Sequence, residues 1–158
     1  MYRKLALLTW LLLAITHAHG ASAYLQLGGW SKHFQNDQSY NESHNTAGFE
    51  VEFDTQTKST YGLLFTTFEN SHWASSRQVA VSAKRCYQPF AFSKGCLGFT
   101  AGFIDGYQKI NEGNFFPVLI PKLNFEYRKV GVDFLCVPAV HSSASFCAVQ
   151  GRVKMGRL

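Results

Sequence analysis

The segment 47–54 constrains the fold most, because its apolar and polar residues alternate without a break. One face would carry Ala47, Phe49, Val51 and Phe53, and the other would carry Gly48, Glu50, Glu52 and Asp54. A period of two residues is that of a β-strand, in which successive side chains point to opposite sides. Acidic groups facing lipid would be costly, so in a membrane barrel they must face the interior. We therefore expect Phe49, Val51 and Phe53 to point outward.

The N-terminal segment 1–23 has the organisation of a cleaved signal peptide. Arg3 and Lys4 precede an apolar run at 5–15, and Ala21-Ser22-Ala23 provides small residues for cleavage. The apolar run is shorter than the ~20 residues of a membrane-spanning helix. We expect cleavage before Tyr24, which leaves a mature domain at 24–158 and places the protein outside the cytoplasm.

The mature segment predicts eight strands with alternating short and longer connections and no helical period. Their expected ranges are 24–35, 47–54, 60–68, 77–87, 96–104, 115–127, 130–139 and 145–158. Strands of about ten residues with this alternation are typical of outer-membrane barrels. The predicted fold is therefore an all-β, eight-stranded, antiparallel, up-and-down transmembrane β-barrel. The loops at 36–46, 69–76, 105–114 and 140–144 would share the extracellular end.

The stretch 97–123 combines two unusual strands. In the first, Gly98 and Gly102 share one face with Thr100, opposite a bulky apolar face, which suggests room inside a barrel. In the second, Pro117 and Pro121 cannot donate to a β-ladder. That strand should therefore be an edge or a barrel wall that is left unpaired.

Charge and cysteine content narrow the functional classes. Without the leader, 13 basic and 10 acidic residues remain, a formal charge of +3 that is too mild to indicate nucleic-acid binding. The hairpins predict disulfides Cys86–Cys96 and Cys136–Cys147, which form in oxidising compartments, with small buried thiols as the alternative. The spacing of Cys and His predicts no metal site, and we expect no cofactor.

Five short stretches resemble, in order, the lipid A palmitoyltransferase barrels of Gram-negative outer membranes (the PagP family). They are Tyr40-Asn41-Glu42, Phe68-Glu69-Asn70-Ser71, Leu97-Gly98-Phe99-Thr100-Ala101-Gly102, Pro117-Val118-Leu119-Ile120-Pro121 and Val137-Pro138. The matches span residues 40 to about 140. The resemblance implies an enzyme that moves a palmitoyl chain from a phospholipid to lipid A at the extracellular rim of the barrel.

The resemblance also implies roles for individual residues. His33 matches the family's rim histidine and Ser71 its rim serine, whereas Asn70 stands where the family has an aspartate. We expect His33 to act as a general base, Ser71 as its hydroxyl partner or an oxyanion donor, and Asn70 as an orienting group. Pro121 and Pro138 match the proline pair through which lipid passes sideways. Ser82, Gly98 and Gly102 would line the acyl-chain cavity.

Two other interpretations remain open from the sequence. A non-enzymatic outer-membrane barrel of the same fold is the first, since Asn70 replaces an ionisable group. A secreted lipocalin-like binder of apolar ligands is the second, because Gly28-Gly29-Trp30 imitates the first-strand motif of that class. The expected partners are phospholipid and lipid A, the protein is expected to be a monomer, and His44 and His72 are expected to be solvated loop residues.

Overall fold

The computed structural model describes residues 20–34, 39–137 and 145–158. Eight strands form the fold: β1 (Gly20–His33), β2 (Ala47–Asp54), β3 (Ser59–Glu69), β4 (Ser75–Tyr87), β5 (Ser93–Ile104), β6 (Phe116–Tyr127), β7 (Val130–Val137) and β8 (Phe146–Arg157). One helical turn, α1 (Gln108–Asn111), lies between β5 and β6. No helix in the described part of the chain is long and apolar enough to cross a membrane.

The strands close into one antiparallel barrel, which confirms the predicted fold. Each strand pairs with the next, and β8 pairs with β1. The bounds of β2 are those that the alternation predicts. β1 begins earlier than expected, and Gly20 pairs with Asp54. Cleavage before Tyr24 remains a prediction, and it would remove the first four residues of this strand.

The barrel carries its apolar side chains outside and its polar side chains inside. Phe49 is 55% exposed, whereas its neighbours Glu50 and Glu52 are 0% and 2% exposed. The same outward apolar pattern continues around the barrel with Leu63, Phe65, Val79, Val81, Phe99, Phe103, Leu119, Leu123 and Phe134. Water would not stabilise such a surface, but hydrocarbon does. The barrel is therefore of the outer-membrane type, and the lipocalin interpretation, which needs a polar exterior, is wrong.

A cluster of ion pairs fills the middle of the interior. We call it the lumen cluster; its members are Glu50, Glu52, Lys84, Lys122, Asp133 and Arg152. Lys122 Nζ lies 3.2 Å from Glu50 Oε2 and 2.8 Å from Asp133 Oδ2. Lys84 and Arg152 both contact Glu52. Three cations and three carboxylates balance in charge, as buried ions must if they are to remain ionised.

The two ends of the barrel differ, and both disulfides are formed as predicted. The turn end carries the turns at 55–58, 88–92 and 128–129 together with Gly20 and Arg157. The long-loop end carries the connections at 70–74 and 105–115, the described segment 39–46, and the ends of β7 and β8 at Val137 and Phe146. Cys86–Cys96 joins β4 to β5 at the turn end, and Cys136–Cys147 joins β7 to β8 at the long-loop end.

The glycines of β5 allow two strands to approach closely. A Cβ atom at Gly98 would overlap the carbonyl oxygen of Ala83, and one at Gly102 would overlap that of Val79. Both overlaps are with the backbone of β4, which cannot move aside without opening the ladder. An eight-stranded barrel is narrow and strongly curved. Glycine here therefore permits curvature between β4 and β5.

Candidate functional site

The predicted histidine and serine meet at the long-loop end. His33 is the last residue of β1, and Ser71 is the second residue of the connection after β3. The distance from His33 Nε2 to Ser71 Oγ is 3.0 Å, and each residue is 5% exposed. This is hydrogen-bond distance between a base and a hydroxyl, the spacing that acid–base catalysis requires. His33 Nδ1 has no hydrogen-bond partner among the described residues.

Aromatic side chains enclose this pair. The His33 ring stacks on Tyr40 with centroids 4.1 Å apart and planes 10° apart. Tyr107, just before α1, lies close to the Ser71 hydroxyl, and burial raises the pKa of its phenol to about 12. Its hydroxyl therefore stays protonated at neutral pH and can donate. Burial, together with the charge of Lys109, lowers the pKa of His72 in the neighbouring connection.

Asn70 is part of the rim but is engaged with its own loop. Its Oδ1 accepts hydrogen bonds from the backbone N–H groups of His72 (2.8 Å) and Ala74 (3.2 Å). Its Nδ2 donates to Ser76 Oγ at 3.0 Å and to the carbonyl oxygen of Gly106 at 2.9 Å. The amide thus fixes the connection that carries Ser71. An orienting role toward His33 stays a prediction, and the observed bonds give it an indirect route through that connection.

His44 is held in the wall, which corrects the expectation that it is solvated. Its Nδ1 lies 2.6 Å from the carbonyl oxygen of Glu69, and its Nε2 lies 2.7 Å from Ser31 Oγ. A carbonyl oxygen only accepts, so Nδ1 must carry the hydrogen, and Nε2 of the neutral ring accepts from Ser31. His44 therefore connects β1 to the end of β3. The segment 41–46, to which it belongs, lies between these strands at the long-loop end, where β2 has not yet begun.

A cavity of about 90 Å³ opens beside these residues. Ser71, His44 and Tyr107 contribute to its polar side. Its apolar side is formed by Phe68, Ile104, Ile120, Leu135, Val137 and Phe146. That volume is well below the roughly 300–1,000 Å³ of typical ligand pockets. A long acyl chain would therefore require the cavity to enlarge.

Among the described residues, the wall beside the cavity has no β6–β7 ladder pair at Pro121. The ladder between these strands ends at Lys122 and Leu135. Cys136 and Val137 continue β7, but they pair with β8, while Pro121 pairs with Phe99 of β5 on its other side. For the described residues, the missing β6–β7 pair at Pro121 agrees with the expected unpaired wall, and a lipid gateway there stays a prediction. Pro138, the second predicted gateway residue, lies outside them.

None of the three predicted cavity residues is among those that line this cavity. Ser82 is 2% exposed and donates to Glu50 Oε1 at 2.7 Å. Gly98 pairs with Lys84 and with Lys122, at the level of the lumen cluster. Gly102 pairs with Ala80 and Val118. Contact between these positions and an acyl chain stays a prediction.

The structure also bears on metals. Within residues 20–34, 39–137 and 145–158, no three His, Cys, Asp or Glu side chains are grouped so that they could hold a metal ion.

Tyr107 and His44 were not predicted from the sequence as site residues. Both lie in polar connections without a recognisable motif. Only the closed barrel brings them to His33 and Ser71.

Comparisons with known proteins give similarity at the level of the fold. No protein-family model matches the chain, and no curated protein matches it. One similar structure is a de novo designed transmembrane β-barrel, with 6% identity, coverage of 87% of this chain and 97% of that chain, and a TM-score of 0.49. Another is Ail, the attachment invasion locus protein of Yersinia pestis, solved with the heparin analogue sucrose octasulfate. It has 9% identity, coverage of 88% and 98%, and a TM-score of 0.47. The resemblance to lipid A palmitoyltransferases therefore rests on the sequence motifs alone.

Proposed function

We propose that this protein resides in a bacterial outer membrane and transfers an acyl chain at the long-loop end of its barrel. The outward apolar surface and the two disulfides support the location, because export to an oxidising compartment accompanies both. The lumen cluster argues against a conducting pore, since six charged side chains occupy the middle of the interior. A reaction would therefore take place at the rim of the long-loop end.

The observation that carries the proposal is the 3.0 Å contact between His33 Nε2 and Ser71 Oγ. In the proposed step, an acceptor hydroxyl on lipid A attacks the carbonyl carbon of a phospholipid ester. His33 takes the proton of that hydroxyl and then gives it to the departing lysophospholipid oxygen. Ser71 and Tyr107 are placed to donate hydrogen bonds to the oxyanion that forms on the carbonyl. The products are acylated lipid A and a lysophospholipid, and the step needs no cofactor.

The open wall at Pro121 supports access from the side. A phospholipid has no route to the rim from the turn end, because the lumen cluster occupies the middle of the interior. Ile120 and Leu135 flank the unpaired wall and also line the cavity. We infer that separation of β6 from β7 enlarges the cavity until it admits an acyl chain, with Pro121 lowering the cost because it breaks no ladder bond.

The test is mass spectrometry of lipid A from a host that lacks its own acyltransferase and expresses this chain. We expect one added acyl chain, lost in His33→Ala and Ser71→Ala and retained in Ser75→Ala, an exposed serine on β4. Heat-dependent gel mobility verifies that each variant has folded. Unchanged lipid A with a folded wild-type barrel would contradict acyl transfer. Lipid A acylation by both His33→Ala and Ser71→Ala would show that other residues catalyse the reaction.

A non-enzymatic barrel of the same fold is the second candidate. The engagement of Asn70 with its loop favours it, since no ionisable side chain in the described part of the chain then hydrogen-bonds to His33 Nδ1. The small cavity favours it as well. On this alternative, His33 and Ser71 close the rim as structural partners, and their removal changes stability while lipid A stays unmodified in every strain.

A further inference from the structure

The turn end presents cations and aromatic rings together on its surface. We call this group the turn-end rim; it comprises Lys58, Arg85, Phe90, Phe92, Arg128 and Lys129. Phe90 is 74% exposed and Phe92 is 68% exposed, more than most outward residues in the apolar belt. These rings lie beyond the strands, where a membrane barrel meets the headgroups.

Positive charge at this end is not balanced by acids. Lys58, Arg85, Arg128 and Lys129 are exposed, and so is Arg157 at the end of β8. In the described residues of the turn end, each acidic side chain is either paired with a cation or buried. Asp54 accepts from Lys94 at 3.0 Å, and Glu126 is 5% exposed. At the long-loop end, by contrast, Lys32 pairs with Glu42 at 3.0 Å and Arg77 pairs with Asp105 at 2.5 Å.

The cations of the turn-end rim lie against the faces of aromatic rings. The guanidinium carbon of Arg128 lies 5.7 Å from the Phe92 ring centroid and 5.5 Å from that of Tyr127. Lys58 Nζ lies 5.9 Å from the ring centroid of Tyr87. Such contacts orient a cation without neutralising it, so its charge remains available to an anion.

Backbone bonds join the three turns into one surface. The N–H of Cys86 donates to the carbonyl oxygen of Lys58 at 2.8 Å, and that of Arg128 donates to the carbonyl oxygen of Phe92 at 2.8 Å. Cys86 is itself bonded to Cys96. The rim is therefore a preformed surface, which reduces the ordering cost of binding.

We propose that the turn-end rim binds the headgroups of anionic phospholipids, such as phosphatidylglycerol. Arginine forks match the two free oxygens of a phosphodiester, and the exposed Phe rings suit the start of the acyl region. The turn end is thus assigned to a leaflet that contains anionic phospholipid, and His33 and Ser71 lie toward the other side of the membrane. This inference is independent of any reaction at the rim site.

The test uses the full refolded chain in a neutral detergent with equal amounts of phosphatidylglycerol and phosphatidylcholine. Native mass spectrometry counts which lipid stays bound. We expect a preference for phosphatidylglycerol that weakens with salt. A cation near an anionic surface contributes about fivefold to partitioning, so Arg128→Gln/Lys129→Gln should lower the preference by up to about 25-fold.

The matched control is Lys32→Gln/Lys109→Gln, which removes the same charge at the long-loop end and should leave the preference unchanged. If the first variant does not fold, Lys58→Gln/Arg85→Gln replaces it. Equal retention of both lipids would overturn the proposal, as would an equal loss in the control. Displacement of the lipid by soluble glycerol phosphate at similar concentration would also overturn it, because the site would then recognise phosphate alone.

Discussion

Glu50 and Lys122 meet across the interior of the barrel, with Oε2 and Nζ 3.2 Å apart, although 72 residues separate them in sequence. Glu50 comes from β2 and Lys122 from β6, strands that are not neighbours. Further contacts from Lys84 and Arg152 bring β4 and β8 into the same cluster. The lumen cluster therefore connects alternate strands through the interior.

Removing one cation from the lumen cluster should destabilise the barrel strongly. Lys122→Met leaves Glu50 and Asp133 with an unbalanced buried charge, which typically costs about 3–5 kcal/mol. The free energy of unfolding can be measured with urea in detergent micelles. Lys32→Met is the control, since its pair with Glu42 is solvent-exposed and should contribute little to stability. Equal losses in both variants would contradict the assigned role of the cluster.

The alternation in 47–54 was sufficient to predict which side chains face inward, but not what they contact. A period of two fixes the face of Glu50 and Glu52 from local sequence alone. Their partners Lys84, Lys122 and Arg152 lie on three other strands, and only the register of the closed barrel brings them together. For the same reason, the strand count and the hairpin disulfides were predictable and the lumen cluster was not.

Gly98 should be intolerant of even one methyl group. Gly98→Ala would place its Cβ against the carbonyl oxygen of Ala83, and we expect a loss of about 3 kcal/mol or failure to refold. Gly95→Ala is the matched control on the same strand, because a Cβ there meets no atom within 4 Å. The readout is the folded fraction by heat-dependent gel mobility. A Gly98→Ala barrel as stable as Gly95→Ala would show that the two strands can separate without cost.

The candidate site was predictable in part. His33 and Ser71 were expected at one end of the barrel from strand parity and from the family motifs, and they do make contact. The bonding of His44 could not be predicted, since the segment 41–46 reads as an ordinary polar loop. Its role depends on β2 beginning only at Ala47 while β1 and β3 extend further toward the long-loop end, so that other residues must close the gap in the wall.

His44 should control the local stability of that wall segment. His44→Phe keeps the ring but removes both hydrogen bonds, leaving the Glu69 carbonyl and the Ser31 hydroxyl unpaired, a loss of about 1–3 kcal/mol. We expect faster amide hydrogen exchange in 41–46 with little change in β5. Asn45→Ala, at an exposed neighbouring position, serves as the control. Unaltered exchange in 41–46 would show that other bonds hold the segment.

Asn70→Asp, the change that would restore the family's aspartate, should damage the rim. The Asn70 amide is fixed in orientation because its Oδ1 accepts from two backbone N–H groups, so Nδ2 must face the carbonyl oxygen of Gly106. A carboxylate has no hydrogen to donate there, and two acceptors would stand 2.9 Å apart. We expect a loss of about 1–3 kcal/mol in unfolding free energy, with any lipid A acylation reduced. Asn45→Asp adds the same charge at an exposed site of the rim and should change neither quantity. Raised acylation in Asn70→Asp would instead mean that the loop rearranges to let the new carboxylate reach His33, and the indirect role assigned to Asn70 would be wrong.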